Sequence, residues 1–398
     1  MSILFQSKKI GNLKIKNRFI RSSVVESMSL ENGEVSDDLI KLYTNLAKGE
    51  IGLILTGNSY IHPLGRANKY QTGIYSDDMI PGLKKVVDAV HQEDGKIALQ
   101  LVHAGLQTSE RIIGTTPIAP SKRIRNPFTM SRPLEMNNDQ INETIKAFGE
   151  AARRSFKSGA DAIQIHAAHG YLINQFISSF YNRRKDDWGG SDENRFRFLK
   201  EVILECKQKI PPKKALLVKI NSNDYTKKKG LTPPITAKYA KWLVDLGIDG
   251  LEISCGSSYF SMFNMCRGDV PVNEILQIYP DMMKPMAKQI FDGMVGKFEF
   301  QEPYNLEAAK VIKPALGDIP LILVGGQRKL SDMERIITNN HADFIAMARP
   351  FIREPHLIKS FKEGKKSEAS CISCNRCLAA VMNELPINCY VNKFPEKK

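Results

Sequence analysis

The amino-acid sequence predicts an α/β fold, a (β/α)8 TIM barrel with long insertions after some strands and a cysteine-rich C-terminal extension. Short apolar runs, several of them rich in β-branched residues, alternate with amphipathic helical patterns, and this alternation is typical of a parallel sheet. The number of units suits a closed barrel. The alternative is a doubly wound open sheet, but no G-x-G-x-x-G motif follows the first run.

The predicted strands follow one another along the chain, and most of them precede a helical pattern. They are Phe19–Val25, Ile51–Thr56, Ile97–Val102, Asp161–His166, Leu216–Ile220, Gly250–Ser254, Leu321–Val324 and Phe344–Met347. Residue spacing predicts helices over Met79–Glu93, Asp139–Ser158, Phe196–Ile210 and Pro355–Lys365. Ser191 begins a variant of the capping box ahead of the third of these helices.

Two connections between predicted strands are too long for plain loops, namely His103–Asn138 and Gly256–Pro320. Long connections after barrel strands usually build the mouth of an active site. We therefore expect these two segments to determine the substrate.

Composition narrows the class of protein. The 398 residues have 42% hydrophobic and 25% charged side chains, as an ordinary globular protein does. The net charge of +14 comes from scattered lysines without a nucleic-acid-binding motif, so we expect no nucleic-acid partner; steering of a phosphorylated ligand is the alternative use of this charge. Since no apolar run suits a membrane span or a signal peptide, we expect a cytoplasmic protein without a membrane partner.

Catalytic residue types cluster after the fourth predicted strand. His166, His169 and Tyr171 can all donate hydrogen bonds, and active sites of barrels lie at the C-terminal ends of strands. A histidine at a strand end is often structural, and a His-x-x-His pair can bind a metal. No third ligand of suitable spacing stands beside this pair, which favours a role in substrate binding.

The C-terminal region is rich in cysteine. Cys371, Cys374 and Cys377 form a C-x2-C-x2-C pattern, and Cys389 follows it. In a reducing compartment such crowding indicates metal binding rather than disulfides. Four thiolates at this spacing suit a [4Fe–4S] cluster or an all-thiolate zinc site, and bare thiols are the third possibility.

The segment from His166 to Arg197 resembles the signature of the Old Yellow Enzyme family of flavin oxidoreductases. It is similar to the branch that includes 2,4-dienoyl-CoA reductase and trimethylamine dehydrogenase. The resemblance implies an FMN-binding barrel over residues 1–355, followed by an extension over 356–398. The relatives carry a further FAD and nucleotide domain, which we do not expect in this chain. The cysteine region also resembles the cluster loop of those two enzymes, and this likeness favours a [4Fe–4S] cluster at the four cysteines.

The resemblance further implies an FMN site at the ends of the strands. Gln100 would bind the pyrimidine edge of the flavin, and Lys219, where the family usually has arginine, would stabilise negative charge on the reduced ring. The remaining implied contacts come from backbone groups, small residues and one phosphate-binding arginine. They are Ser22, Ser23, Val24, Val25, Gly57, Gly325, Gly326, Ala348 and Arg349.

The same resemblance implies the reaction. His166 and His169 would hold the carbonyl oxygen of a small-molecule substrate, and Tyr171 would protonate the α-carbon. The first hypothesis is an FMN-dependent ene-reductase that uses NAD(P)H. The second is an iron–sulfur flavoprotein that exchanges single electrons with a separate electron-transfer protein. A third is a flavin-binding scaffold without turnover, which the intact catalytic set disfavours; the oligomeric state stays open.

Overall fold

Eight parallel strands close into a barrel in the computed structural model, which describes residues 2–122, 124–126, 132–227, 229–258 and 260–395. The strands pair in chain order, and the last strand pairs with the first. They are β1 Phe19–Arg21, β2 Leu53–Tyr60, β3 Ile97–Val102, β4 Ala162–Ala167, β5 Ala215–Asn221, β6 Gly250–Ser254, β7 Leu321–Val324 and β8 Phe344–Met347. The prediction of a (β/α)8 barrel is confirmed.

A helix follows each strand and packs on the outside of the barrel. These helices are α1 Asp37–Lys48, α2 Ile80–Gln92, α3 Asn138–Lys157, α4 Asp192–Lys209, α5 Pro233–Asp245, α6 Leu306–Ile312, α7 Leu330–Thr338 and α8 Leu357–Lys362. Their buried faces form one large apolar layer against the strands. None of the helices within the described ranges combines the length and apolarity needed to cross a bilayer.

The interior of the barrel is a separate apolar core. Small and branched side chains alternate around it, for example Ala98, Ala162 and Leu217. A short antiparallel hairpin, Lys8–Ile10 with Leu13–Ile15, adds two isoleucines to this core before β1 begins. Since these isoleucines contact the inward-facing residues of the strands, the hairpin closes the N-terminal end, and the chemistry is left to the opposite end.

The long connections carry additional elements. In the connection after β3, Glu110–Ile113 is helical and Ile118–Ala119 pairs with Leu134–Glu135. The connection after β6 contains the helices Met262–Met265, Val272–Leu276 and Lys284–Asp292. Residues 123, 127–131 and 259, which also belong to these predicted connections, lie outside the described residues.

The C-terminal extension packs on the insertion that follows β6. Helix Arg376–Met382 contributes Ala379 to a small apolar cluster with Phe263, Ile275 and Phe291. Two further short helices, Leu172–Ile177 and Arg349–Arg353, follow β4 and β8 directly. The insertion and the extension thus share a core of their own above the barrel. Helix α8, by contrast, packs within the barrel layer through Phe361.

Strand and helix ends differ from the predicted ones by a few residues. The first strand ends at Arg21, because the backbone from Ser22 to Val25 leaves the sheet and lines the cavity at the C-terminal end of the barrel. Helix α4 begins at Asp192 rather than Phe196 because the Ser191 side chain accepts a hydrogen bond from the Asn194 backbone and caps a polar first turn.

Candidate functional site

A cavity of about 430 Å³ opens at the C-terminal ends of the barrel strands. It brings together most of the residues that the sequence singled out. The lining includes Ser22, Ser23, Val24, Val25, Gln100, His166, His169, Tyr171, Lys219, Gly325, Gly326, Ala348, Arg349, Cys371 and Cys377. Gly57, Cys374 and Cys389 are not part of this lining.

Both long connections contribute to the mouth of this cavity, as the sequence predicted. The connection after β3 provides Thr108 and Arg111, and the connection after β6 provides Met262 and Tyr304. The positions of these side chains make them candidates for contacts with a substrate or cofactor above the strand ends.

The segment from Ser22 to Val25 is supported from behind by a buried glutamate. The Glu26 carboxylate lies 2.9 Å from the guanidinium of Arg21, 2.5 Å from the hydroxyl of Tyr43 and 2.8 Å from the backbone nitrogen of Gly57. All three groups donate to it. The segment is therefore held between the cavity and a satisfied buried ion pair, which fixes the backbone that faces the cavity.

Gly57 is required by Glu26 rather than by the cavity. A Cβ atom at this position would lie 1.6 Å from a carboxylate oxygen of Glu26 and 2.7 Å from the carbonyl oxygen of Val24. A side chain would thus displace the support of the cavity wall. The expected contact of Gly57 with a flavin ring stays a prediction.

Four polar side chains form a chain of hydrogen bonds that runs from the cavity wall into the barrel behind it. Ser23 donates to Gln100 over 2.9 Å, and Gln100 donates to Gln164 over 2.6 Å. Gln164 in turn donates to Glu252 over 2.8 Å. Gln100 keeps one amide hydrogen beyond these contacts, which is available to a ligand in the cavity.

Lys219 faces the cavity with its charge paired. Its ammonium lies 3.0 Å from Oε1 of Glu252 and 2.9 Å from the hydroxyl of Ser22. The Glu252 side chain is fully buried, and the lysine is almost fully buried. An ammonium has three donors, so one N–H of Lys219 remains for a ligand beyond these two contacts.

The geometry around His166 fixes its tautomer. The backbone N–H of Ala168 donates to Nδ1 of His166 over 3.3 Å, so the proton of the neutral ring lies on Nε2. Burial, together with the charge of Lys219, holds the pKa of His166 well below its ordinary value. The ring is therefore a neutral donor at physiological pH.

His169 is held by contacts to both of its backbone polar groups. Its φ angle of 60° is unusual for a residue with a side chain. Its N–H donates to Asn221 over 3.1 Å, and its carbonyl accepts from Gln107 and from the backbone N–H of Ser258. Burial is the main cause that holds the pKa of His169 well below its ordinary value. Nε2 lies 2.7 Å from the hydroxyl of Ser254.

Tyr171 lies beside the two histidines. Its ring centroid is 4.9 Å from that of His166, and the two histidine rings are 5.1 Å apart. Burial raises the pKa of Tyr171, while hydrogen bonds with Asn58 and Ser258 oppose this shift. The phenol therefore stays protonated at neutral pH, and three hydrogen-bonding side chains converge on one wall of the cavity.

The opposite end of the cavity is suited to an anion. Gly325 and Gly326 adopt φ angles of 123° and 85°, and added side chains would collide with Tyr304 and with the backbone of Gln301. Gln327 lines the same region and is 4% exposed. Neither polar atom of the Gln327 side chain has a hydrogen-bond partner within the described parts of the chain, so both atoms are available to a ligand at this position.

Two arginines lie between the end of the cavity at Gly325 and Gly326 and the cysteine extension. Arg349 donates to the backbone carbonyl of Arg267 over 2.8 Å and to the side chain of Asn375 over 2.6 Å. Arg328 donates to the hydroxyl of Ser373 over 2.5 Å and also lines the cavity. Sequence reasoning did not select Arg328, although it stands two residues after Gly326.

The four cysteines of the extension are unpaired and partly buried. Within the described ranges, no group of three or more His, Cys, Asp or Glu side chains is arranged to hold a metal ion. The expected metal site is thus not shown. Thiols gain nothing from mutual proximity, because it is the bound metal that supplies the free energy of such a site. The ligand role of the cysteines stays a prediction.

Sequence reasoning missed several polar residues of the site, chiefly Gln164, Glu252, Gln327 and Arg328. Gln164 and Glu252 stand in the middle of buried strands, where a polar side chain needs a specific partner. This signal identified Gln100 and could have identified these two residues as well.

Comparison with known proteins identifies a family and several similar chains. The model of the NADH:flavin oxidoreductase / NADH oxidase family matches residues 3–261. A protein from Thermoanaerobacter brockii named NADH oxidase is 32% identical over 394 residues, which are 98% of this chain and 56% of the relative. The chain thus spans about half the length of this curated relative.

Solved structures of similar fold include reductases. A complex of 2-naphthoyl-CoA reductase with 2-naphthoyl-CoA has a TM-score of 0.85 at 26% identity, over 98% of this chain and 57% of that one. The old yellow enzyme homologue from Zymomonas mobilis has a TM-score of 0.73 at 25% identity, over 93% of this chain and 95% of that one. The match over residues 3–261 and the identity to the NADH oxidase show that this chain belongs to the NADH:flavin oxidoreductase / NADH oxidase family of flavin oxidoreductases.

Proposed function

We propose that this chain is an FMN-dependent NAD(P)H oxidoreductase that reduces the C=C bond of electron-poor substrates, such as α,β-unsaturated carbonyl or enoyl compounds. The observation that carries the proposal is the convergence of His166, His169 and Tyr171 on the wall of the cavity that Gln100 and Lys219 also line. Family membership supports the flavin, and similarity to 2-naphthoyl-CoA reductase supports an unsaturated acyl substrate.

The residues of the cavity fit FMN. Gln100 and Lys219 each retain a donor for the pyrimidine edge of the ring, and the backbone from Ser22 to Val25 offers a wall beside it. The unpartnered amide of Gln327 and the charge of Arg349 suit a phosphate. Bound FMN would supply the transfer of hydride from NAD(P)H to the alkene.

The side chains of this protein would supply the polar part of the reaction. The Nε2–H of His166 and the ring of His169 would donate to the carbonyl oxygen of the substrate, where negative charge develops. Because both rings are neutral, neither gives up its proton in this role. The phenol of Tyr171 would deliver a proton to the α-carbon, which becomes carbanion-like.

An anaerobic spectroscopic experiment tests the proposal. Protein reconstituted with FMN should lose its flavin absorption when NADH or NADPH is added and recover it when an enone or enoyl thioester follows. Protein that binds no FMN, or bound FMN that neither pyridine nucleotide reduces, would contradict the proposal.

A second candidate is an iron–sulfur flavoprotein that exchanges single electrons with a separate protein. The observation that favours it is the position of Cys371 and Cys377, which line the same cavity as the flavin-binding residues. Flavin that is reduced only by a ferredoxin or a partner flavoprotein, and by neither pyridine nucleotide, would support this candidate over the first.

A further inference from the structure

Glu252 is a fully buried acid in the middle of strand β6. It accepts three hydrogen bonds: Ser22 donates over 2.6 Å, Lys219 over 3.0 Å and Gln164 over 2.8 Å. Glu252 lies behind the cavity, whereas Ser22 and Lys219 line it. The glutamate therefore acts on any ligand of the cavity through these neighbours.

The carboxylate also determines the direction of the hydrogen-bond chain that runs from Ser23 through Gln100 and Gln164 to Glu252. A carboxylate can only accept, so Gln164 must turn its amide nitrogen toward Glu252. The oxygen of Gln164 then faces Gln100 and accepts from it over 2.6 Å. The amide of Gln100 consequently keeps its nitrogen toward Gln164 and its oxygen toward Ser23.

A buried ion pair is a costly way to stabilise a fold. The desolvation of two charges offsets most of their attraction, and apolar residues of similar volume often stabilise a core equally well. The two residues next to Glu252 in strand β6, Leu251 and Ile253, are buried and apolar. We therefore expect the charge of Glu252 to have a role other than stabilising the fold.

We propose that Glu252 is a positioning residue that lowers the reduction potential of the bound flavin by balancing the charge of Lys219. This inference rests on the proposed FMN site. Reduction places negative charge on the ring near the pyrimidine edge, and a cation there stabilises the reduced form. The Lys219–Glu252 ion pair has no net charge and therefore stabilises the reduced ring less than an unpaired lysine would. The effect of the carboxylate is large because little water reaches this site to screen it.

The test is the midpoint potential of bound FMN in the variant Glu252→Gln. Glutamine keeps the shape and removes the charge, so the equilibrium constant for two-electron reduction should rise at least tenfold, a shift of about 30 mV toward positive potential. Lys219→Met should shift the potential in the opposite direction, because the cation is lost.

Asp343→Asn is the matched control. Asp343 is also a buried carboxylate paired with lysines, Lys8 and Lys313, but it precedes strand β8 at the closed end of the barrel. Its replacement should leave the potential of bound FMN unchanged. Glu252→Asp keeps the charge but moves it away from Lys219, so it should raise the potential by less than Glu252→Gln does. If Glu252→Gln does not fold, Glu252→Asp provides the measurement.

Each outcome has a separate meaning. A potential that stays at the wild-type value in Glu252→Gln, or in Glu252→Asp where only that variant folds, overturns this inference and leaves the proposed function intact. An equal rise in Asp343→Asn overturns it too, because the effect would then be unspecific. Wild-type protein that binds no FMN overturns the proposed function and this inference together.

Discussion

Arg349 and Asn375 are joined by a hydrogen bond of 2.6 Å that connects the end of the barrel to the cysteine extension. Asn375 adopts a φ angle of 56° and precedes helix Arg376–Met382. Its amide nitrogen donates to the carbonyl oxygens of Cys266 and Asp269 over 2.8 and 2.9 Å. One asparagine thus links Arg349, the insertion after β6 and the extension.

We expect Asn375→Ala to weaken both the fold and the binding of FMN. The substitution leaves two carbonyl oxygens and a guanidinium donor without this partner. Each such loss lowers the free energy of unfolding by up to about 3 kcal/mol. Alanine also tolerates the positive φ angle less well than asparagine. Urea denaturation and the Kd of FMN measure the two effects.

Asn388→Ala is the matched control for this prediction. Asn388 lies in the same extension, is exposed, and accepts only from the backbone nitrogen of Cys389 among the contacts seen. It should change neither quantity appreciably. An Asn375→Ala variant with wild-type stability and FMN affinity would show that the extension is held by its apolar cluster alone.

Tyr171→Phe should separate the two halves of the proposed reaction. The phenyl ring keeps the packing against His166 but has no proton to give, so alkene reduction should slow by about 10²–10⁴-fold. Reduction of FMN by NAD(P)H needs no such proton and should keep its rate. Stopped-flow absorbance of the flavin measures each half separately.

Tyr181→Phe is the control for the loss of a buried phenol. The hydroxyl of Tyr181 lies 2.6 Å from that of Ser257, but its side chain does not line the cavity. We expect both half-reactions to proceed in this variant. If Tyr171→Phe slowed both halves equally, Tyr171 would be a structural residue and not the proton donor.

The four cysteines of the extension lead us to predict the metal content of the purified protein. If the four thiols ligate a [4Fe–4S] cluster, anaerobically purified protein should contain iron and acid-labile sulfide in nearly equal amounts. Cys374→Ser should abolish both, while Cys206→Ser, which changes a buried thiol in helix α4, should retain them. Zinc without sulfide would identify the all-thiolate zinc site instead.

The barrel could be predicted because each parallel strand is buried on both faces and is therefore a mainly apolar run. Leu321–Val324 and Phe344–Met347 show this most clearly, since the observed strands have the predicted ends. The ends of helices and strands were harder to predict where polar residues belong to the helix or strand. Ser191 caps helix α4 through its side chain, so the helix includes a charged turn that apolar spacing does not indicate.

Residues that line the cavity could be predicted where each has its own local signal. Gln100 is polar in an apolar strand, and His166, His169 and Tyr171 follow a strand end. The pairing of Lys219 with Glu252 was not predictable in the same way, because it depends on the register between β5 and β6. The contact of Arg349 with Asn375 depends on the path of the extension, which no periodic pattern determines.

Three buried histidines should make the fold sensitive to acid. Burial is the main cause that lowers the pKa of His103, to about 3, and those of His166 and His169 well below the ordinary value. Below about pH 6.5 these histidines take up protons in the unfolded chain but not in the folded protein. Proton uptake therefore stabilises the unfolded chain, and the free energy of unfolding falls as the pH falls below this value. Each histidine contributes up to about 1.4 kcal/mol per pH unit to this slope.

His103→Asn tests the sign and the size of this dependence. Nδ1 of His103 accepts from the backbone of Gly105, and an asparagine oxygen can replace that acceptor. Urea midpoints measured from pH 7 down to about pH 5 should therefore fall less steeply in the variant than in the wild type. The difference isolates one histidine from the carboxylates, which titrate in both proteins. Parallel curves would mean that His103 is protonated in the folded protein as easily as in the unfolded chain.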